Sequence, residues 1–482
     1  MTISDSRVHV GLEVAEQPQP VELVDESFRI LILGAFSGRA GSSSPPLANR
    51  VVRIDRDGID AAMAVIAPEV RLAIDPSADP DVIAFVSLDD LHPDRLLQSV
   101  ALLKHLRSLR AEFLRPGAAP KTRGLERETT SAAAPRAGES LLDMILDDAQ
   151  PRPTPAPTGD DDGLSELIRR AVRPHLAPEV SQDQAAMLAQ IDDAIVAALR
   201  VVLHRPEFQA LESGWRGADF FLRRLNAGAE SQVAIADLSA IDLRAALADS
   251  SSDALRDLLR SDDGSPRWSL VLCTHAFESG DVALLGRIAE IGAASHTPWL
   301  VSATPGFVGA TSFAEGADAD DWDPAPPAGW DALRRGADAR YVGVALPRFL
   351  LRSPYGAETD SIDTMPFEEF VDHPVPHESY LWGSAVFVCG LIATEEVERG
   401  ASRKSHGTIG GLPFHVDTQD GIPVAKPSAE ALISQRTVMH LLDRGVTPLV
   451  SQRDGDVVRV PRLQSIATPP APLAIRQSGA AE

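Results

Sequence analysis

Pro206 constrains this chain more than any other residue, because it falls between two apolar stripes that cannot belong to one continuous helix. Upstream, Ile191, Ile195, Leu199, Val202 and Leu203 recur at three- and four-residue spacing, the period of one buried helix face. Proline supplies no amide donor and disfavours helical backbone in the residue before it, so the run must break at Arg205. Phe208, Leu211 and Trp215 then form a second stripe with large rings to bury. The predicted outcome is a helix, a break and a second helix, with Pro206 opening the latter. That arrangement is a packing element and carries no catalytic chemistry of its own.

Composition narrows the class. At 482 residues the chain exceeds one ordinary core and predicts two or three domains. A formal net charge of -24 disfavours nucleic acid or an anionic membrane surface as partner, since both repel an acidic protein. Cys273 and Cys389 each sit in an apolar run, as small buried hydrophobes do, and without Cys-x-x-Cys spacing they fit a reducing compartment. No basic leader opens the sequence and no apolar run approaches the ~20 residues of a membrane helix, so a cytoplasmic location is expected.

Patterning along the chain predicts a mixed α/β protein. Val8, Val10, Leu12 and Val14 alternate strictly with polar residues, the mark of a strand, and a polar spacer follows to residue 27. An isolated strand pairs with something distant. Two readings stand: a sheet edge in its own domain, or a strand donated to a neighbouring chain. Residues 28–115 read as a small α/β domain, with strands 28–33, 51–54, 69–74 and 82–86, a short helix 58–67 and one helix from Pro93 to Phe113. Residues 116–163 are rich in proline and small residues and form a linker. Within it, 139–149 is amphipathic: Leu141, Leu142, Ile145 and Leu146 share one face, and aspartates the other. This segment docks either in a partner's groove or on its own protein.

Residues 164–465 read as a larger α/β domain, including helices 165–173, 183–204, 207–226, 281–294, 379–397 and 428–444, and strands 231–236, 268–274, 298–303 and 341–346. The strand–helix–strand unit at 268–303 has the spacing of a right-handed parallel crossover. Residues 316–336, acidic and proline-rich, read as a surface loop, and 466–482 as a disordered tail.

Chemical motifs are weak. The loop after strand 28–33, GAFSGRAGSSS, begins as a phosphate site would, but it lacks Gly-Lys-Ser/Thr and is followed by two prolines. Ser37 lacks the Gly-x-Ser-x-Gly frame of a nucleophile elbow. His275 and Glu278 miss the HExxH spacing, and the 12 histidines show no recurrent metal pattern. No catalytic, cofactor or metal site is expected. Arg348 and Arg352 could clamp a carboxylate across an interface, or stand as a solvated pair.

The run HRPEFQALESGWRG at 204–217 resembles the signature of the large sheath subunit (TssC/VipB/ImpC) of bacterial type VI secretion systems. DVALLGRIAEIGAASHTPWLVSATP, ARYVGVALPRFLLRSPYG, SYLWGSAVF and GLPFHV continue it, bringing Pro206, Phe208, Leu211, Trp215, Arg216, Arg348, Tyr355 and Trp382 into family motifs. RVHVGLEV, FRILILGAFSGR, VVRIDRDGID and LDDLHPDRLL resemble the small sheath subunit (TssB/VipA/ImpB). The whole looks like a natural fusion of the two.

The resemblance implies a structural protein rather than an enzyme. Its protomers would stack helically in the cytoplasm around an Hcp-like inner tube, on a baseplate, and contract. It also implies strand exchange between protomers, suiting residues 8–14. A ClpV-like AAA+ unfoldase would grip Leu141, Leu142, Ile145 and Leu146. Two departures stand out: the chain is shorter than the family between Val397 and Gly410, and it has no counterpart of the family's C-terminal region after Val460. They leave open a baseplate, cap or assembly adaptor derived from sheath proteins. A soluble α/β enzyme using Ser37 is the remote alternative.

Overall fold

The computed structural model describes residues 28–39, 50–73, 80–115, 182–225, 231–249, 253–260, 267–314, 317–398, 406–419, 421–453 and 455–475. The first part of the chain forms β1 (Phe28–Gly34), β2 (Val51–Ile54), α1 (Ile59–Ile66), β3 (Glu69–Leu72), β4 (Asp81–Ala84), α2 (Pro93–Ser99) and α3 (Ala101–Phe113). The single helix expected over 93–113 is two. Val100 takes extended backbone and is fully buried, while Asp81 Oδ2 accepts from the amide of Ala101 at 2.7 Å and caps the second helix.

Next come α4 (Gln182–Leu203) and α5 (Pro206–Arg224), separated by extended Arg205 with Pro206 in the first helical turn, as the sequence predicts. They are followed by β5 (Ser231–Asp237), α6 (Ala240–Ala248), α7 (Ala254–Leu259), β6 (Leu270–Phe277), α8 (Val282–Ser295), β7 (Trp299–Ala303), α9 (Trp330–Arg335) and β8 (Val342–Leu346). The remainder is β9 (Phe349–Leu350), β10 (Trp382–Gly383), α10 (Ala385–Glu398), β11 (Gly407–Ile409), β12 (His415–Gln419), β13 (Ile422–Lys426), α11 (Gln435–Asp443), β14 (Val446–Pro448), β15 (Val450–Ser451) and β16 (Val458–Val460).

One mixed sheet organises the molecule, in the order β14-β8-β7-β6-β1-β5-β2. All neighbours are parallel except β2, which runs antiparallel to β5. The separate small domain expected over 28–115 is therefore not separate. Its first strand lies inside the sheet, Ile30 pairing with Val233 of β5 on one side and Leu270 of β6 on the other. The continuous apolar run FRILIL fits that place, because a central parallel strand is covered on both faces.

The two faces carry two cores. Ile30, Ile32, Val233, Ile235, Leu270 and Leu272 pack with Phe208, Leu211, Trp215 and Phe221 of α5 and with α10. Leu31, Leu33, Val271, Cys273, Trp299 and Val301 pack on the opposite face, against α6, α8 and α11. From Ala385 to Thr394 every residue of α10 is buried, so its first ten residues are covered on all sides, and only its last turn carries glutamates.

Three boundaries differ from expectation. α10 starts at Ala385 rather than 379, because Trp382 and Gly383 pair antiparallel with β9. α11 starts at Gln435 rather than 428: Ser434 caps it, while Ser428 and Arg348 carbonyls accept from Leu350 and Glu430 amides. The expected tail is ordered through its first part, where Ile466 is fully buried and its amide donates to the Val342 carbonyl at 2.9 Å. Leu473 is also buried, and the Ala474 amide donates to the Arg340 carbonyl. Two apolar side chains and the rim of β8 hold residues whose prolines alone suggest disorder. In the acidic loop, Trp322 and Trp330 are buried anchors.

Glycines of α5 give a direct test of this packing. A Cβ on Gly217 would lie 2.2 Å from Phe387 Cε2 of α10, whereas one on Gly214 would meet Phe36 at an ordinary 3.7 Å. Gly217→Ala is expected to destabilise by about 1–3 kcal/mol through overpacking. Gly214→Ala should be neutral or stabilise by up to ~1 kcal/mol, as removing an interior helical glycine does. Urea midpoints of the two variants measure the contrast.

Candidate functional site

The helix break aims α5 so that its polar face meets the loop after β9 in a buried lattice of charges. Glu212 has no exposure and Arg352 is 9% exposed. Arg216 Nε donates to Glu212 Oε1 at 2.6 Å, one helical turn away, and Arg352 Nε donates to the same oxygen at 3.0 Å. Arg352 also reaches Glu369, donating at 2.7 and 3.2 Å. The amide of Tyr355 donates to Glu369 Oε2 at 2.8 Å, and Arg216 donates to the Tyr355 hydroxyl at 2.9 Å. The Arg352 guanidinium lies 4.2 Å from the Tyr355 ring centroid. Two carboxylates and two guanidiniums thus satisfy one another. His204 Nε2 stands 3.3 Å from Glu369 on the outer side.

Burial works to raise the pKa of Glu369, but Arg352, His204 and the Tyr355 amide outweigh it and hold the carboxyl at about 2. Burial pushes the Tyr355 phenol up to about 12. These groups keep fixed charge states across the physiological range, which suits a structural clamp.

Arg348 builds a second, more open cluster. It donates to Glu430 at 2.6 Å and to both oxygens of Glu378 at 3.0 and 3.2 Å. His377 Nε2 lies 3.0 Å from Glu430, and Lys426 Nζ lies 2.9 Å from His377 Nδ1. Trp382 underlies both cations, its ring centroid 5.8 Å from Arg348 and 5.5 Å from Lys426. Its carbonyl accepts from Ser213 of α5 at 2.7 Å. Burial would raise Glu430, yet His377 and Arg348 hold it at about 2. Oxygens and nitrogen of His377, Glu378 and Glu430 come within 4.8 Å of one another, the spread of a metal site. Arg348 and Lys426 already supply the countercharge, so a divalent ion would enter against two fixed cations.

Arg352 is therefore buried against Glu212 and Glu369, whereas Arg348 is partly exposed and pairs with Glu430 and Glu378. Each clamps carboxylates of its own chain, because the strand between them turns both side chains back toward α5 and the 369–430 segment. Their partners Glu369, Glu378 and Glu430 were not legible as site residues, since a glutamate in a polar loop carries no spacing signal.

The other motifs resolve into packing. Ser37 is 2% exposed, and the amides of Phe36 and Ser37 both donate to Asp237 Oδ1 at 2.8 Å. A carboxylate of β5 thus occupies the donors that a phosphate would need. Trp215 lies edge-on to Phe36 at 5.2 Å and donates its indole N–H to the Phe36 carbonyl at 2.9 Å. His275 is held at the Leu238 carbonyl, and burial lowers its pKa. Cys273 and Cys389 are fully buried, and burial pushes each thiol up to about 12. Pro206, Phe208 and Leu211 position α5. The strand expected at Val8, Val10, Leu12 and Val14 and the segment expected at Leu141, Leu142, Ile145 and Leu146 lie outside the described residues.

Removing one member of the inner lattice leaves a buried charge without its partner. Arg352→Ala is expected to cost about 3–5 kcal/mol in urea unfolding. Glu369 binds its proton more weakly folded than unfolded. Its contribution is therefore complete above the ordinary carboxyl range and is lost as pH falls from 4.5 toward about 2. Glu369→Gln should lower stability at pH 6 and reduce the loss between pH 5 and pH 3.

Comparison with known proteins agrees with this architecture. The VipB family model, for an EvpB-type tail sheath N-terminal domain, matches residues 185–466. The type VI secretion system VipA family model matches residues 2–115. The chain is 29% identical over 306 residues to the type VI secretion system sheath protein TssC1 of Pseudomonas aeruginosa, which is 59% of this chain and 61% of that protein. It thus spans about 61% of that relative's length. The VipA match ends just after α3 and the VipB match begins within α4, and both matched segments supply strands to the one sheet. This chain belongs to the VipB tail sheath family, and it carries a VipA-family segment ahead of that domain in the same polypeptide.

Proposed function

We propose that the chain is a single-chain protomer of a type VI secretion-like contractile sheath, assembling helically in the cytoplasm around an Hcp-like tube that rises from a baseplate. The observation that supports it best is the shared sheet: β1 from the VipA-like part lies between β5 and β6 of the VipB-like part. Such a body is a rigid building block, and a sheath works by rearranging contacts between rigid blocks. Fusion keeps the two parts in equal number and at high effective concentration for each other. Among the described residues no helix is long and apolar enough to cross a membrane.

On this reading residues 8–14 pair with a neighbouring protomer. Residues 139–149 are the handle by which a ClpV-like unfoldase recovers the assembled material. Electron microscopy of the purified chain with its Hcp-like partner is expected to show tubes or sheath fragments. Discrete complexes with baseplate proteins would instead mark an adaptor, and a strict monomer at high concentration would reject both. Deleting residues 1–15 should abolish polymers while leaving a folded monomer. Leu142→Asp with Ile145→Asp should leave folding and polymerisation intact while reducing unfoldase binding at least about tenfold, the loss of ~1.4 kcal/mol or more of apolar burial.

A further inference from the structure

Between α4 and residues 357–371 runs an open groove of about 630 Å³. Its apolar wall is Val196, Ile362, Met365, Phe367 and Val371, the last 54% exposed. Its rim is acidic: Asp363 and Glu368 line it, and Asp193 and Asp372 lie within electrostatic range. Arg200, the only cation lining it among the described residues, is engaged. Its Nε donates to the Glu368 carbonyl at 2.9 Å, and its guanidinium stands 5.8 Å from the Phe367 ring. An occupant that fits therefore combines an apolar stripe with flanking positive charge.

Two amphipathic segments are tethered close by. Residues 139–149 carry Glu139, Asp143, Asp147 and Asp148, and the rim would repel them. Residues 164–173 have the complementary pattern. Leu164, Leu167, Ile168, Ala171 and Val172 fall on one helical stripe, Arg169 and Arg170 flank it, and Arg173 lies with Glu166 on the far face. Reach permits the second. Val196 lies about 21 Å along α4 from its start at Gln182, and residues 174–181 span about 26 Å when extended. Pro174 and Pro178 favour that extended form.

We infer that residues 164–173 dock in cis into this groove as a short helix, apolar stripe against Met365 and Val371 and arginines over the Asp363 and Glu368 rim. A helix this short needs such a surface to persist. Docking anchors the end of the linker to the body, leaves residues 116–163 as its free length, and closes the groove to basic amphipathic segments of other chains.

The test uses the full chain, whose own two cysteines are buried. With Ile168→Cys and Met365→Cys, mild oxidation in dilute solution is expected to give an intramolecular bridge, seen as a mobility shift and as the linked peptide by mass spectrometry. Reversing Arg169 and Arg170 to glutamate should slow bridging several-fold. Bridging no faster than that of Leu142→Cys with Met365→Cys overturns the inference. So does bridging only between molecules, which would assign the groove to a second copy. Hydrogen exchange on the unmodified chain needs no substitution: protected amides at 164–173 are expected, and exchange at the free-peptide rate overturns it. Both measurements are made on unassembled chain, so they stand apart from polymer formation.

Discussion

Backbone pairing on both edges of β1 is the interaction on which the rest of this structure depends. Seven residues of the strand, Phe28 to Gly34, are in register with β5, and four of them also face β6. Removing the strand would leave buried amides and carbonyls of its two neighbours, β5 and β6, without partners, each at a cost of about 1–3 kcal/mol. It would also empty the centre of both hydrophobic cores, since Ile30 and Ile32 serve one and Leu31 and Leu33 the other. The VipA-like and VipB-like parts are thus one folding unit, and their covalent fusion joins pieces that already share a sheet.

The signature run at 204–217 follows from that arrangement. Once β1 is central, the loop leaving it must be held over the sheet end, and α5 does so through the Trp215 indole on the Phe36 carbonyl. Neighbouring side chains are then directed by helical geometry to different tasks. Glu212 and Arg216, one turn apart, face the Arg352–Glu369 pair, while Gly217 lets α10 approach closely at Phe387. Buried ion pairs contribute little net stability compared with apolar packing, because desolvation offsets attraction. Their effect here is geometric: Arg352 bonds Glu212 of α5 and Glu369 together, which ties the 352–369 segment to the helix.

Much of this was legible in the sequence, and the exceptions share a cause. Helical period exposed α4, α5 and α8, and Pro206 marked the break, because these signals are local. The partition into domains was misleading for the opposite reason. FRILIL reads as a buried strand, but nothing in it tells that its partners lie some two hundred residues away in both directions of the sheet. Arg352 was visible as a motif residue, whereas Glu369 was not, since the link between them exists only after folding. Ser37 illustrates the converse. Its glycine-rich loop resembled the start of a phosphate site, and tertiary structure filled those donors with Asp237.

The junction between the two family segments adds a final constraint. α3 ends where α4 begins: Gln184 donates to the Phe113 carbonyl, and Arg110 donates to Asp192 at 2.5 Å. Residues 116–181 therefore leave and re-enter the body at nearly the same place, so spanning a gap is not their task. Chain closure over such a length varies only with the logarithm of the number of residues. A tether of a third the length would join α3 to α4 as well. What the segment carries in its sequence is two amphipathic runs of opposite charge, 139–149 and 164–173, and a plain tether would need neither.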